Sequence, residues 1–289
     1  MTRDPAEFVL GASRIVRRPR WGRWLAATLL VAILAWIGWS FAHGQIHWPT
    51  VGRFFTAPAI LSGLANTVLM AFCAMVVGIV LGTVFAVMYL SPNPVMQGTA
   101  LFYIWFFRGT PLLLQLLIWF NLALVFPTIG IPGLVEFRTV DVITPFVATL
   151  LGLGMNQGAY TAEVVRAGIL SVDRGQIEAA QSVGMTRLTA LRRIVLPQAM
   201  RVIIPPVGNE AVSMVKLTSV ASVIQYAEIL RNAQTIYYAN ARTIELLIVA
   251  AIWYLAVVTV LQVGQHFLEK HFSRGYAARR PAKPAGDVR

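Results

Sequence analysis

The chain has 289 residues, 57% of them hydrophobic against 12% charged, with a mean hydropathy of +0.67. That balance excludes a soluble domain of this length and makes the bilayer the solvent. A formal net charge of +12 raises nucleic acid as a partner, and the positions of the charges decide against it.

In chain order, residues 1–23 form a short, basic, aperiodic tail, expected in the cytoplasm. Arg14, Arg17, Arg18, Arg20 and Arg23 then precede the apolar run Leu25–Ala42, which gives it the outline of a secretory signal. Its length, and the crowding of Trp21, Trp24, Trp36, Trp39 and Trp48 at its two ends, favour an uncleaved anchor spanning 24–42. Residues 54–107 contain no Asp, Glu, Lys or Arg, and Ser91-Pro92-Asn93-Pro94 divides a span at 60–90 from one at 98–125. Phe126-Pro127 and Gly130-Ile131-Pro132-Gly133 read as an external loop. Further spans are predicted at 142–166, 201–226 and 244–268, each at or near the roughly 20 residues that cross about 30 Å of hydrocarbon. Residues 273–289 are a second basic tail. The expected architecture is an all-α, polytopic membrane helix bundle of six transmembrane helices, with 24–57 as an N-terminal helix plus external segment and 58–272 as the main domain.

With the N-terminus placed inside, the segments 1–23, 164–201 and 269–289 carry six Lys and Arg each, eighteen in all. The outside segments hold only Arg53, Arg138, Arg231 and Arg242, and Arg108 and Lys216 fall within spans. Basic residues keep short loops on the cytoplasmic side, so both termini are assigned inside. The basic balance therefore follows from topology and calls for no nucleic acid. The single Cys73 excludes an internal disulfide.

Gly78 and Gly82, then Gly152, Gly154 and Gly158, let neighbouring helices approach closely within the bilayer. No G-x-x-x-x-G-K-[ST] occurs, so the chain is not expected to bind or hydrolyse ATP. His43 and His47 stand at i and i+4, but among Trp residues and without a nearby carboxylate they read as interfacial rather than metal-ligating.

Between Ser171 and Pro197 the pattern turns amphipathic. Asp173 caps a first helix, Gly184 ends it, Thr186 starts the next and Pro197 closes the segment, which predicts a helix–Gly–helix elbow at 172–197. On amphipathicity alone this is a helix lying on lipid, with Arg187, Arg192 and Arg193 facing anionic headgroups. The full spacing says more. E-A-A at Glu178, Ala179 and Ala180, Gly184, then Ile194-x-Leu196-Pro197 resembles the signature of permease subunits of ATP-driven importers. Phe107-Arg108-Gly109-Thr110-Pro111-Leu112-Leu113-Leu114-Gln115, Gly158-Ala159-Tyr160-x-x-Glu163-x-x-Arg166, Gly175-Gln176 and Lys216-x-Thr218-Ser219 resemble the polar-amino-acid branch of the type I importers, in that family's order. Leu217 departs from it, standing where Asp is common, which removes a local partner for Lys216.

The resemblance implies a five-span core, here 60–268, with the span at 24–42 added. It also implies pairing with a second permease subunit, the same or homologous, two ATP-binding-cassette ATPase subunits beneath, and a periplasmic solute-binding protein delivering the substrate. ATP and Mg would sit in the ATPase, with no cofactor on this chain. Gly175, Glu178, Ala179, Ala180, Gly184, Ile194 and Pro197 would form the coupling contact. Charges inside the bilayer must pair or face a cavity. Glu163 is the candidate for a substrate ammonium, with Arg108 or Lys216 for its carboxylate and Asn66, Thr67, Gln115 and Asn156 as neutral donors and acceptors. The plainer alternative makes Glu163 one half of a structural ion pair. Against an importer subunit stand an ion-coupled secondary transporter, which needs no E-A-A loop, and a membrane-embedded enzyme.

Overall fold

A computed structural model describes residues 21–131 and 135–272. The expectations for residues 1–20 and 273–289, and for Pro132 and Gly133 in the external loop, lie outside the described residues. Helix α1 (Trp21–His43) belongs to a unit of its own, ending at His47, and is apolar all round. His43 stacks on Trp39 and its Nδ1 lies 3.0 Å from the Trp39 carbonyl oxygen.

The second unit holds α2 (Trp48–Phe55), α3 (Pro58–Tyr89), α4 (Pro94–Gly109), α5 (Leu112–Phe120), α6 (Thr139–Val142), α7 (Pro145–Leu170), α8 (Arg174–Ser182), α9 (Arg187–Ala190), α10 (Leu196–Leu217), α11 (Ile229–Asn240) and α12 (Thr243–Phe272). A π-helical turn, Leu191–Val195, joins α9 to α10, and a 3-10 segment, Thr218–Ile224, follows α10. The expected external loop contains an antiparallel hairpin, β1 (Thr128–Ile131) and β2 (Val135–Arg138), with Thr128 opposite Arg138.

Helices α1, α3 and α12 are each long and apolar enough to cross a membrane. The predicted span 98–125 is not a single straight helix: α4 and α5 meet at 102°. Pro111 causes the break, because its ring disfavours the helical conformation at Thr110, which is extended at φ −109°, ψ 143°. The predicted span at 201–226 begins earlier, at Leu196, and leaves α-helical geometry after Leu217, tightening to 3-10 before the left-handed Gln225 at φ 64°. Helices α7 and α10 have 26 and 22 residues, with polar side chains that prove to face one another.

Helices α3 and α7 form the most extensive helix pair, along a seam of small residues. Gly78 lies against Gln157, Gly82 against Thr161, and Gly158 against Tyr103 and Leu81. A Cβ on Gly82 would sit 2.6 Å from Thr161 Cβ, so a larger side chain must push the helices apart. Gly82→Leu is therefore expected to cost about 1–3 kcal/mol in thermal unfolding of the solubilised protein. Gly98→Ala, which meets open space inside α4, should instead leave stability unchanged or raise it by up to about 1 kcal/mol.

A second set of contacts ties α3 to the start of α11. The buried Glu228 carboxylate caps α11, accepting from the backbone N–H of Leu230 at 2.9 Å and Arg231 at 2.6 Å, and from the Tyr254 hydroxyl on α12. Thr67 Oγ1 accepts from the N–H of Ile229 at 3.2 Å, and Asn66 Nδ2 donates to the Ala227 carbonyl at 2.7 Å. These bonds satisfy backbone groups that the apolar surroundings would otherwise leave unpaired.

Candidate functional site

The α4–α5 break creates unpaired backbone carbonyls at the end of α4. Gln115, buried on the first turns of α5, donates through Nε2 to the Phe107 carbonyl at 2.9 Å, the Thr110 carbonyl at 3.1 Å and Thr110 Oγ1 at 2.8 Å. Asn156 Nδ2, from α7, donates to the same Phe107 carbonyl at 2.9 Å and to Gln115 Oε1 at 3.3 Å. The bend is thus held from two helices, and the segment Arg108-Gly109-Thr110-Pro111 becomes one wall of a cavity.

That cavity has a volume of about 490 Å³ and is completed by Asn156, Gln157 and Tyr160 from α7 and by Glu210, Ser213 and Leu217 from α10. The spacings explain the lining. Residues 156 and 160 are one turn apart on α7, and 210, 213 and 217 lie on one face of α10. Its carboxylate is Glu210, whose Oε2 accepts from Gln157 Nε2 at 2.6 Å and Thr161 Oγ1 at 3.2 Å. Gln157 Nε2 also reaches Thr161 Oγ1 at 3.0 Å. Among the described residues no Lys or Arg pairs with Glu210, and its Oε1 has no hydrogen-bond partner. A carboxylate held by neutral donors with one oxygen open is arranged to receive a cation.

The structure places the predicted path residues unevenly. Arg108 and Asn156 line the cavity. Gln115 braces the bend rather than facing the cavity, and Asn66 and Thr67 are engaged with residues 227–229. Glu163 lies outside the lining: its Oε2 accepts from Arg166 Nη2 at 2.6 Å and its Oε1 lies 3.7 Å from Arg108 Nη1. Glu163 is thus ion-paired with Arg166 and close to Arg108. Arg108 also lies over the Tyr160 ring, 5.3 Å from its centroid, and Arg166 over Tyr89, at 4.9 Å. Lys216 is exposed and has no ion pair among the described residues. Since α10 is helical through both Glu210 and Lys216, the six-residue separation keeps them on different faces.

Glu210 is not among the path residues that the sequence suggested. The signal that would have found it was a carboxylate inside a span opposite Gln157 and Thr161, whose pairing across helices no periodicity reveals.

The elbow at 172–197 forms much as its residues dictate. Asp173 Oδ1 accepts from the N–H of Gly175 at 2.6 Å, opening α8. Gly184 adopts φ +81°, and the N–H of Met185 returns to the Ala180 carbonyl at 3.0 Å, ending it. Thr186 Oγ1 then accepts from the N–H of Thr189 at 3.3 Å to start α9. Two expectations change. Ala180 is only 2% exposed and faces the body of the protein, so of the two alanines Ala179 alone is open beside Glu178. Pro197 does not close the segment but stands in the first turn of α10. Its missing N–H and its ring, which would clash with the carbonyl four residues back, account for the wider π-turn that includes Ile194 just before it.

The model of binding-protein-dependent transport system inner membrane components matches residues 78–274. The arginine transport system permease protein of Corynebacterium glutamicum is 42% identical, over 88% of this chain and 81% of its own length. The L-cystine transport system permease protein of Bacillus subtilis is 36% identical, over 81% of this chain and 94% of its own. Among solved structures, an amino acid ABC transporter crystallised with histidines matches with a TM-score of 0.68 at 33% identity, covering 78% of this chain and 99% of that one.

Proposed function

This chain belongs to the family of binding-protein-dependent transport system inner membrane components, as a permease subunit of an amino-acid ATP-binding-cassette importer, and from that premise we propose that its substrate passes through the cavity walled by Glu210 and Arg108. Membership of that family removes the secondary transporter and the membrane-embedded enzyme as readings. The substrate we propose is a polar amino acid or a related zwitterion. The observation that carries this is Glu210, a carboxylate held through one oxygen by neutral donors, in the lining of a cavity that Arg108 also lines. An ammonium would bind Glu210 and a carboxylate Arg108, with Asn156, Tyr160 and Ser213 offering neutral hydrogen bonds. The arginine-transport relative makes arginine the first substrate to assay.

In this reading energy enters through Gly175, Glu178, Ala179, Gly184, Ile194 and Pro197, with Ala180 supporting α8 from beneath. The partners are two ATP-binding-cassette ATPase subunits that hold ATP and Mg, a second permease subunit and an external solute-binding protein. The chain itself binds no cofactor. Both termini lie in the cytoplasm, as the distribution of Lys and Arg supports. Nucleotide-driven closure of the ATPase pair would move the α8–α9 elbow, and with it α10 and Glu210, as a rigid body between two states.

Proteoliposomes containing the permease, its ATPase and its binding protein are expected to take up labelled arginine, or another polar amino acid, only when ATP is supplied. Uptake that follows an ion gradient and ignores ATP would overturn the reading.

A further inference from the structure

The larger opening beside the α8–α9 elbow is not used by the substrate or coupling readings. It is a groove of about 730 Å³, within the range of sites for single small molecules, and its walls include Leu90, Met96, Ile169, Ile177 and Leu191. These come from the end of α3, the start of α4, the end of α7, α8 and the π-turn, where membrane-spanning helices stop and the chain turns. The exposed basic residue in the lining is Arg187. Arg192 and Arg193 follow it, also exposed, and among the described residues none of the three has an ion-pair partner.

An apolar trough at the ends of membrane helices, with the unpaired Arg187 in its lining and the exposed Arg192 and Arg193 a few residues on, matches an amphiphile with an acyl chain and an anionic head. Both halves of the match are needed. The trough alone would accept any lipid, and the arginines alone any anion. We propose that the groove between the α3–α4 turn and the α8–α9 elbow seats one chain of an anionic phospholipid, with the phosphate at Arg187. Because Leu191 and Val195 line the groove and lie in the turn leading into α10, its occupant touches the segment that joins the elbow to the substrate cavity.

The test uses the assembled transporter in nanodiscs with two probes, phosphatidylglycerol and phosphatidylcholine, carrying the same photoreactive acyl chain. Phosphatidylglycerol should label peptides containing Leu90–Met96 and Ile177–Leu191 about fivefold more than phosphatidylcholine, the weight of one basic residue beside an anionic lipid. Arg187→Gln should bring the two probes level there, and Met96→Trp, which fills the groove, should remove the label. Labelling around the exposed Leu255 on α12 should be the same for both probes in every variant, which shows the variants to be folded. Equal labelling of the groove by both probes in the parent, or labelling indifferent to Arg187→Gln, would overturn the proposal. So would protection from both probes by residues 1–20 or the ATPase, read as a protein cross-link at the same peptides.

Discussion

Glu210→Gln is expected to raise the apparent KM for amino-acid uptake by about 10- to 100-fold, while the protein still reaches the membrane and assembles. The magnitude is that of one charge-assisted hydrogen bond, about 1.5–3 kcal/mol, lost to the substrate. The substitution is chosen for what it keeps. A Gln amide oxygen can still accept from Gln157 Nε2 and Thr161 Oγ1, so the α7–α10 contact survives, but its amino group then faces the substrate cation. Glu163→Gln is the informative contrast. It weakens ion pairs with Arg166 and Arg108 from a position outside the cavity lining, so it should lower yield or melting temperature and change KM by about twofold or less. Uptake kinetics at matched amounts of reconstituted protein separate the two. If Glu163→Gln carries the large KM effect and Glu210→Gln the small one, the assignment of the substrate carboxylate is wrong.

The second large effect is expected at the elbow. Gly184→Asp should abolish stimulation of the ATPase by loaded binding protein, and reduce uptake by tenfold or more, with the permease still folded. Around Gly184 a Cβ would meet nothing within 4 Å, so this chain accommodates the side chain itself. The cost within the permease is that of a non-glycine residue at φ +81°, about 1 kcal/mol, and Asp is among the residues that tolerate such a conformation. The damage falls on whatever closes over the exposed surface, where a new carboxylate would stand beyond Glu178. Glu178→Lys, also at an exposed position, should act in the same direction. Normal uptake and stimulated ATPase activity in both variants would remove the coupling role of α8.

The sequence disclosed the helices better than their relations. The charge-free runs gave α3 and α12 within a few residues, because a span of apolar side chains needs no partner to be recognised. The 102° break was missed although Thr110-Pro111 announced it, since hydropathy counts residues and is blind to direction. The elbow was legible almost to the residue, because Asp173, Gly184 and Thr186 act on their own neighbours in the chain. The cavity was not. Of the residues named for the path, Arg108 and Asn156 line it, whereas Asn66 and Thr67, which look the same in the sequence, hydrogen-bond the backbone at residues 227–229. Glu210 faces Gln157 and Thr161 across a gap of about fifty positions, 53 and 49 residues, and only the α7–α10 packing turns it toward the cavity.

The proposed function rests on substrate binding at Glu210 inside the membrane domain. Equilibrium binding of labelled arginine, or of whichever amino acid the transporter takes up, to the purified permease–ATPase complex without its binding protein tests this most directly. Saturable binding is expected, weakened by about 10- to 100-fold in Glu210→Gln. Equal affinity in the parent and in Glu210→Gln would contradict it.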